Sequence, residues 1–403
     1  MVLKETLIVY IIILLFVLSA PASTYGQKKY SNEESVEILN KVSGKLNALQ
    51  AVSYKYKRES LYSGENYHNI YNTEVFIDFT SKSKNTGYRF QADNDKLFSC
   101  YNGVQYFALQ KINKTIDIKQ KPGADLFESL SPLYNSLISL RNIIPLLTGN
   151  DSIKKTITDT TISNADCYRL QIELYNQYFG NLGSINNFSA EYIGDKHKPY
   201  EVIINKNSLL PYQYVTKFKD RSADFITATF LNINTNPEPP KELSWVYSTF
   251  TNEYLPPVPK KPLIAKGLIP ENWVLPVYSP EKIDSVSLYQ YRGKIVMLDF
   301  WIKSCGPCIA SFPYLNSLQK KFGADKFQLL SVNTEDTKED IAFFYKKNKP
   351  IYKMLFEGGG LVDSYGIPSF PTIILLNQSG KIIYTSNNGF DQAAVEKIIK
   401  QNM

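Results

Sequence analysis

The pattern of apolar and polar residues changes along the chain. In the C-terminal part, short apolar runs alternate with amphipathic stretches, which predicts strands and helices in turn. The predicted elements are strands at 294–300, 327–332 and 352–356, helices at 307–322 and 338–348, a hairpin of 372–376 and 381–385, and a last helix from Asp391. This order predicts a layered α/β domain.

The N-terminal part is patterned differently. A helix is predicted over 30–50, where apolar residues recur on one side, and further helices are predicted over 124–147. Strands are predicted at 75–79, 87–91, 105–109, 167–174, 201–205, 212–217 and 228–233. This half of the chain is therefore predicted to be a β-rich α+β domain.

Two proline clusters separate the halves, and they predict an extended, semi-rigid connection. A chain of 403 residues with 43% hydrophobic and 21% charged residues is long enough for two domains with their own cores. The predicted organisation is a signal peptide (1–26), a β-rich domain (27–240), a proline-rich linker (241–262) and an α/β domain (263–403).

The N-terminus has the form of a secretory signal peptide. Lys4 precedes a mainly apolar run from Leu7 to Ala20, and small residues then follow up to Gly26. We therefore expect export to the periplasm, with cleavage after Gly26. An uncleaved membrane anchor is the alternative, although the run is short for a membrane span.

A Cys-x-x-Cys pair, Cys305 and Cys308, lies between a predicted strand and a predicted helix, which indicates thiol-disulfide exchange. Cys305 is the predicted nucleophile, because unpaired N–H groups and the helix dipole favour its thiolate. Cys308 would resolve the mixed disulfide. Pro307 suits a first helical turn, and Gly306 lets a partner backbone approach closely.

Several separated segments resemble one known family. They are Pro270–Trp273, Ser287–Lys294, Asp299–Trp301, Cys305–Cys308 and Tyr365–Thr372. Together they resemble the TlpA-like thiol-disulfide oxidoreductases, whose domain has the thioredoxin fold. The resemblance implies exchange with cysteine-containing protein substrates, an upstream thiol-disulfide electron donor and no cofactor. Ser304 departs from the pattern, because most relatives have tryptophan there, and this leaves partner choice and redox potential open.

The resemblance also implies roles for further residues. Pro371 would follow a cis peptide bond, shape the substrate groove and expose the backbone of Phe370 for strand-like pairing. The predicted groove also includes Trp301, Gly306 and Pro307, with Trp301 packing beside the site. The alternative for Pro371 is that it merely starts the following strand.

Asp299 stands where thioredoxins have a buried acid below the second cysteine. Burial would raise its pKa toward neutrality, so that it takes a proton from Cys308 during resolution. The alternative is a half-exposed acid that only forms hydrogen bonds.

Two further cysteines lie in the N-terminal half. In an oxidising compartment Cys100 and Cys167 could form one structural disulfide, or they could be two buried free thiols. The segments Tyr101–Tyr106 and Tyr200–Pro211 weakly resemble LolA-like half-barrel proteins. This resemblance implies a lipid or lipoprotein ligand for the N-terminal domain, whereas the alternative is an ordinary β-rich recognition or spacing domain.

Other classes of function are less well supported. The net charge of +7 lacks clustered basic runs, which argues against nucleic acid as a partner. His68 and His197 are separated, so neither a histidine metal centre nor a Ser-His-Asp triad is expected. Gly358–Gly360 is interpreted as a flexible connection rather than a phosphate cradle.

Peroxidase activity and a non-catalytic binding role are the two alternatives to disulfide exchange. Leu298 and Ile302 occupy the places of the proline and threonine of peroxiredoxin-like peroxidases, which disfavours peroxidase activity. The other alternative is a periplasmic lipid- or protein-binding protein whose thioredoxin-like part is not catalytic.

Overall fold

The computed structural model describes residues 28–81, 83, 86–189, 195–219, 221–281, 284–387 and 389–403. The predicted signal peptide over 1–26 lies outside these residues. In the part of the chain that is described, no helix is both long enough and apolar enough to cross a membrane.

An eleven-stranded sheet dominates the N-terminal part, and its pairings are antiparallel. Its strands are β1 (Ala51–Tyr62), β2 (Tyr67–Asp78), β3 (Arg89–Asp93), β4 (Leu97–Tyr101), β5 (Tyr106–Gln110), β6 (Thr115–Lys119), β7 (Lys154–Ile162), β8 (Ala165–Tyr175), β11 (His197–Asn205), β12 (Pro211–Lys217) and β13 (Phe225–Asn234). They follow the order β6-β5-β4-β3-β2-β1-β13-β12-β11-β8-β7, and β9 (Gln177–Phe179) and β10 (Ile185–Asn187) form a separate pair. The N-terminal part is therefore β-rich, as predicted.

Three helices accompany this sheet: α1 (Asn32–Asn47), α2 (Ala124–Ser129) and α3 (Leu137–Thr148). Helix α1 begins at Ser31, whose hydroxyl accepts a hydrogen bond from the Glu34 amide while the Glu34 carboxylate accepts one from the Ser31 amide. Fully buried side chains of α1 and α3 share one hydrophobic core with the sheet.

The predicted linker is wrong in its first part. Residues 241–255 include two short 3₁₀ helices, and Trp245 and Tyr254 are buried against β4–β6. Leu255 also exchanges backbone hydrogen bonds with Lys114 and Ile116 at the edge of the sheet. The aromatic side chains in this segment provide the apolar surface that binds it to the N-terminal sheet. Residues 256–262, by contrast, are exposed and irregular.

The C-terminal part has the predicted α/β layers and the thioredoxin-like fold. Its strands are β14 (Val274–Val277), β15 (Asp284–Ser287), β16 (Ile295–Trp301), β17 (Phe327–Asn333), β18 (Lys353–Leu355), β19 (Thr372–Leu376) and β20 (Ile382–Asn387), in the order β15-β14-β18-β17-β16-β19-β20. Its helices are α4 (Gly306–Lys326), α5 (Lys338–Asn348), α6 (Gly359–Tyr365) and α7 (Gln392–Asn402). Every residue of β16 and β17 is buried, as expected of parallel strands covered on both faces.

The structure corrects the interpretation of Gly358–Gly360. These residues lead into α6, which begins at Gly359, and they are not a flexible connection. A Cβ added to Gly358 would lie 2.5 Å from a methyl group of Val332 and 2.8 Å from the carbonyl oxygen of Asn333. Glycine is therefore required here because α6 packs closely against the end of β17.

Candidate active site

The two cysteines of the Cys-x-x-Cys pair are joined by a disulfide at the start of α4, directly after β16. Cys305 is the N-cap residue of α4, and its sulfur accepts a hydrogen bond from the Cys308 amide at 3.2 Å. Cys308 is fully buried, whereas Cys305 retains 9% exposure. Gly306 and Pro307 between them are exposed. Any attack from outside therefore meets Cys305 first.

Asp299 is fully buried in the middle of β16. One of its carboxylate oxygens, Oδ2, accepts a hydrogen bond from the Ser331 hydroxyl at 3.0 Å, while the other, Oδ1, has no hydrogen-bond partner among the described residues. Burial raises the pKa of Asp299 to about 7, and the Ser331 hydrogen bond offsets only part of that shift. Asp299 is therefore buried, as predicted, and is not the half-exposed acid of the alternative.

Tyr352 is a neighbour of Asp299 that the sequence analysis missed. Its hydroxyl is buried and has no hydrogen-bond partner in the part of the chain that the structure describes, and its pKa is raised by burial and by the charge of Asp299. Asp299 lies on β16 and Tyr352 directly precedes β18, and no local motif links them. Only the parallel packing of β16, β17 and β18 brings them together.

The loop before β19 lies at the same end of the sheet as the cysteines, because Thr372 pairs with Phe300 shortly before β16 ends. The Phe370–Pro371 peptide bond is cis, as the family resemblance implies. Pro371 is buried and Phe370 is partly buried. At the beginning of the same loop, the indole N–H of Trp273 donates a hydrogen bond to the Tyr365 hydroxyl at 2.9 Å.

Trp301 packs beside the site, as predicted, but it is not part of the exposed groove to which it was also assigned. It is fully buried, and its ring makes edge-to-face contacts with Phe312 at 5.0 Å and Phe344 at 5.3 Å between centroids. A large aromatic side chain gains most free energy when it is removed from water on all sides. Trp301 therefore supports the loop from below, while Gly306 and Pro307 form its surface.

Polar contacts hold the loop that leads to Cys305. The backbone amide of Lys303 donates a hydrogen bond to Asp336 at 2.6 Å. The side-chain ammonium group of Lys303 donates one to Asp340 at 2.7 Å. Burial by itself would raise the pKa of Asp340, but hydrogen bonds from Lys303 and Thr337 outweigh it and lower the pKa. The sequence motif Thr337-x-x-Asp340 indicates a helix start, but it does not reveal this contact with the redox loop.

The N-terminal sheet reaches the same region through the tip of the β1–β2 hairpin, Ser63–Asn66. The side-chain amide of Asn66 donates a hydrogen bond to Asp340 at 3.0 Å. The ammonium group of Lys347 on α5 contacts the carbonyl oxygen of Gly64. The hairpin tip is thus docked on the helix that also anchors the redox loop.

The candidate disulfide between Cys100 and Cys167 is wrong. Both cysteines are buried free thiols, one on β4 and the other on β8. Six strands of the same sheet lie between β4 and β8. A disulfide requires Cα atoms within about 7 Å of each other, so these two strands cannot be bridged.

Comparison with known proteins agrees with this geometry. The Redoxin family model matches residues 277–400. Thiol-disulfide oxidoreductase ResA of Bacillus subtilis is 30% identical over 126 residues, which cover 30% of this chain and 68% of the relative. ResA of Halalkalibacterium halodurans is 26% identical over 118 residues, 29% of this chain and 67% of the relative.

Similar solved structures carry related descriptions. A putative thiol:disulfide interchange protein DsbE from Chlorobium tepidum is 30% identical and covers 34% of this chain and 98% of its own, with a TM-score of 0.32. The thioredoxin domain of a thiol-disulfide oxidoreductase from Bacteroides vulgatus is 28% identical, with a TM-score of 0.31, and covers 34% of this chain and 99% of its own. Through its C-terminal Redoxin domain, the chain belongs to the ResA family of thioredoxin-like thiol-disulfide oxidoreductases.

Proposed function

We propose that this protein is exported and exchanges disulfides with cysteine-containing protein substrates through Cys305 and Cys308. The observation that carries the proposal is the Cys305–Cys308 disulfide at the N-terminus of α4. The family supports the reaction class, and the burial of Cys308 beneath a more accessible Cys305 supports the division of roles.

In the proposed reductive direction, the Cys305 thiolate attacks a substrate disulfide. One substrate thiolate leaves, and a mixed disulfide between Cys305 and the substrate remains. The Cys308 thiolate then attacks the sulfur of Cys305, which releases the second substrate thiol and forms the Cys305–Cys308 disulfide. Two electrons pass from the protein dithiol to the substrate, and an upstream thiol-disulfide donor restores the dithiol.

Asp299 is the proposed proton acceptor for Cys308 in the second step. A carboxyl group with a pKa of about 7 is half ionised near neutral pH, so it can take and return a proton readily. Pro371 and the exposed Gly306 and Pro307 would form the groove for the substrate backbone, with Phe370 offering its main chain for pairing.

The direction proposed is reduction or isomerisation. The Gly306-Pro307 dipeptide resembles that of reducing thioredoxin, whose potential is about −270 mV. Export is proposed from the apolar run that precedes Gly26. N-terminal sequencing of protein recovered from the periplasm, with cleavage after Gly26, would support it, whereas an intact N-terminus in a membrane fraction would indicate the uncleaved anchor.

The test of the exchange mechanism combines two variants with a redox titration. Cys305→Ser should abolish turnover, and Cys308→Ser should accumulate mixed disulfides with substrate proteins. Titration of the wild-type protein against dithiothreitol and glutathione buffers, read by alkylation and mass spectrometry, should show one reversible couple. Equal turnover in both variants, or the lack of a reversible couple, would contradict the mechanism and favour a non-catalytic binding role.

A further inference from the structure

A cleft of about 580 Å³ lies between the N-terminal sheet and the redox loop. On the redox side it is lined by Ser304 and Gly306, the two neighbours of Cys305 in the chain. The opposite wall includes Arg58, Ser60 and Tyr62 of β1, which continue the sheet face that carries the hydrophobic core. The size is that of pockets that bind small molecules or short peptide segments.

Arg58 is the cleft's uncompensated charge. In the described part of the chain, no carboxylate lies within ion-pair distance of it, and its Nε is buried without a hydrogen-bond partner. Its guanidinium carbon lies 4.9 Å from the ring centroid of Tyr134 and 5.6 Å from that of Tyr71. Stacking of this kind orients a guanidinium group and leaves its edge free for an anion.

The second arginine of the cleft, Arg221, differs from Arg58 because it is paired with carboxylates. Arg221 forms ion pairs with Glu65 at 3.4 Å and Asp224 at 3.2 Å, so its charge is already neutralised. A half-buried arginine without such a partner has lost part of its hydration and is stabilised when a carboxylate enters. The anion that fits the cleft would therefore bind at Arg58.

Access to Cys305 favours a narrow substrate. Only 9% of Cys305 is exposed, and the docked hairpin tip closes one side of the approach through Asn66 and Lys347. Aromatic rings line other parts of the cleft, including those of Tyr62, Tyr67 and Phe218. Such walls suit the side chains of a single extended polypeptide segment better than the surface of a folded domain.

We propose that this cleft binds the substrate as an extended polypeptide segment that contains a cysteine and an acidic side chain, with Arg58 binding the carboxylate. The proposal rests on the exchange reaction proposed above and names its substrate class. The chemistry is unchanged: the protein dithiol gives two electrons to the disulfide of the substrate cysteine, the two thiols of that disulfide are released, and the Cys305–Cys308 disulfide forms.

The test uses the reduced full-length protein and short synthetic peptides whose cysteine is held in a mixed disulfide with a chromophoric thiol. One series carries a single Asp at each position around the cysteine in turn, and a matched series carries Asn. The wild-type protein should have a lower KM for the best acidic peptide than for its Asn counterpart. In Arg58→Gln the ratio of the KM for the Asn peptide to the KM for the Asp peptide should be about tenfold smaller than in the wild type. This is the size of effect expected of a charge-assisted hydrogen bond.

Two further variants distinguish the loss of the Arg58 charge from a general disturbance of the N-terminal sheet. Lys55→Gln removes an equal charge from the opposite face of the same strand, where Lys55 is paired with Glu74, and should keep the full preference. Arg58→Lys keeps the charge but loses the planar guanidinium group, and should retain part of the preference. An acidic preference that is the same in the wild type and in Arg58→Gln would overturn the proposal.

Glutathione disulfide tests whether the cleft recognises a small molecule instead of a polypeptide segment. If Arg58→Gln slows its reduction while the acidic and neutral peptides react alike, the cleft recognises a small carboxylate-bearing disulfide and the polypeptide assignment is overturned. The redox titration of the wild-type protein is read separately. A reversible couple without acidic preference contradicts only the role of the cleft, whereas no reversible couple contradicts the exchange reaction itself.

Discussion

Burial controls the acid–base behaviour of Asp299. The carboxyl group lies in β16, and among the described residues it has one hydrogen bond, from Ser331, and no salt bridge, so the charged form is poorly solvated. The family resemblance implied this burial, because thioredoxins have a buried acid at the position of Asp299. It could not predict that Tyr352 adds a second unpartnered polar group beside it, because that contact depends on the register of three strands.

This burial predicts a pH-dependent loss of stability that Asp299→Asn removes. The pKa is about 7 in the folded chain and 3.8 as the reference for an unfolded one, so the folded state binds more protons between these values. Stability conferred by Asp299 is therefore complete below the lower value and is lost as pH rises to the higher one. The loss amounts to about 4 kcal/mol for a shift of about three pKa units.

The measurement is urea unfolding of the oxidised protein between pH 4 and pH 8. Unfolding is monitored by hydrogen exchange in peptides that cover β16. The free energy of unfolding of the wild type should fall more steeply with pH than that of Asp299→Asn. Parallel curves for the two proteins would mean that Asp299 is not appreciably perturbed by burial.

The accuracy of prediction for individual elements depended on local signals. Helix α5 has the predicted bounds because Thr337 and Asp340 cap its start, and Lys349 ends it in a left-handed conformation. Helix α6 was missed because glycines open it, and glycine ordinarily indicates flexibility. The predicted linker was too long because proline clusters identify extended chain but do not reveal that Trp245 and Tyr254 between them bind the sheet.

The docking of the hairpin tip on α5 gives a prediction at this scale. In Asn66→Gly with Lys347→Gln, the contacts to Asp340 and Gly64 are lost, while glycine still accommodates the left-handed backbone at position 66. We expect reduced Cys305 to react several-fold faster with a bulky maleimide, because the approach to the cleft widens. The rate with iodoacetamide should change much less, since this small reagent already reaches the sulfur.

Lys346→Gln is the matched control, because Lys346 is exposed on the same helix and loses the same charge. Its maleimide rate should equal that of the wild type. If the double variant also reacts at the wild-type rate, the hairpin tip does not restrict access to Cys305.

At the scale of the whole molecule, the sequence revealed each half but not their relation. Motifs such as Cys305–Cys308 are local, so the redox domain could be identified from the family resemblance of short segments within the C-terminal half. The cleft, by contrast, joins Arg58 of the N-terminal sheet to Ser304 and Gly306, and no pattern within either half predicts that contact. Long-range packing of this kind is decided by the shapes of two complete domains, which explains why the cysteine chemistry was predicted and the cleft was not.

The separation of reactive from structural thiols gives the last prediction. Cys100 and Cys167 are buried in the N-terminal sheet, and burial raises the pKa of both thiols. A buried, protonated thiol is a poor nucleophile, because only the thiolate reacts readily. In the native protein treated with dithiothreitol, alkylation should therefore modify Cys305 rapidly and the buried Cys308 more slowly, and it should leave Cys100 and Cys167 unmodified.

In urea, all four cysteines of the chain should react. Intact-mass spectrometry gives the number of groups added, and peptide mapping gives their positions. Cys100→Ala with Cys167→Ala should leave the redox titration of the Cys305–Cys308 couple unchanged, because the two thiols lie in another domain and take no part in the exchange. Rapid modification of either N-terminal cysteine in the folded protein, or a shifted couple in the double variant, would show that the redox chemistry extends beyond the C-terminal domain.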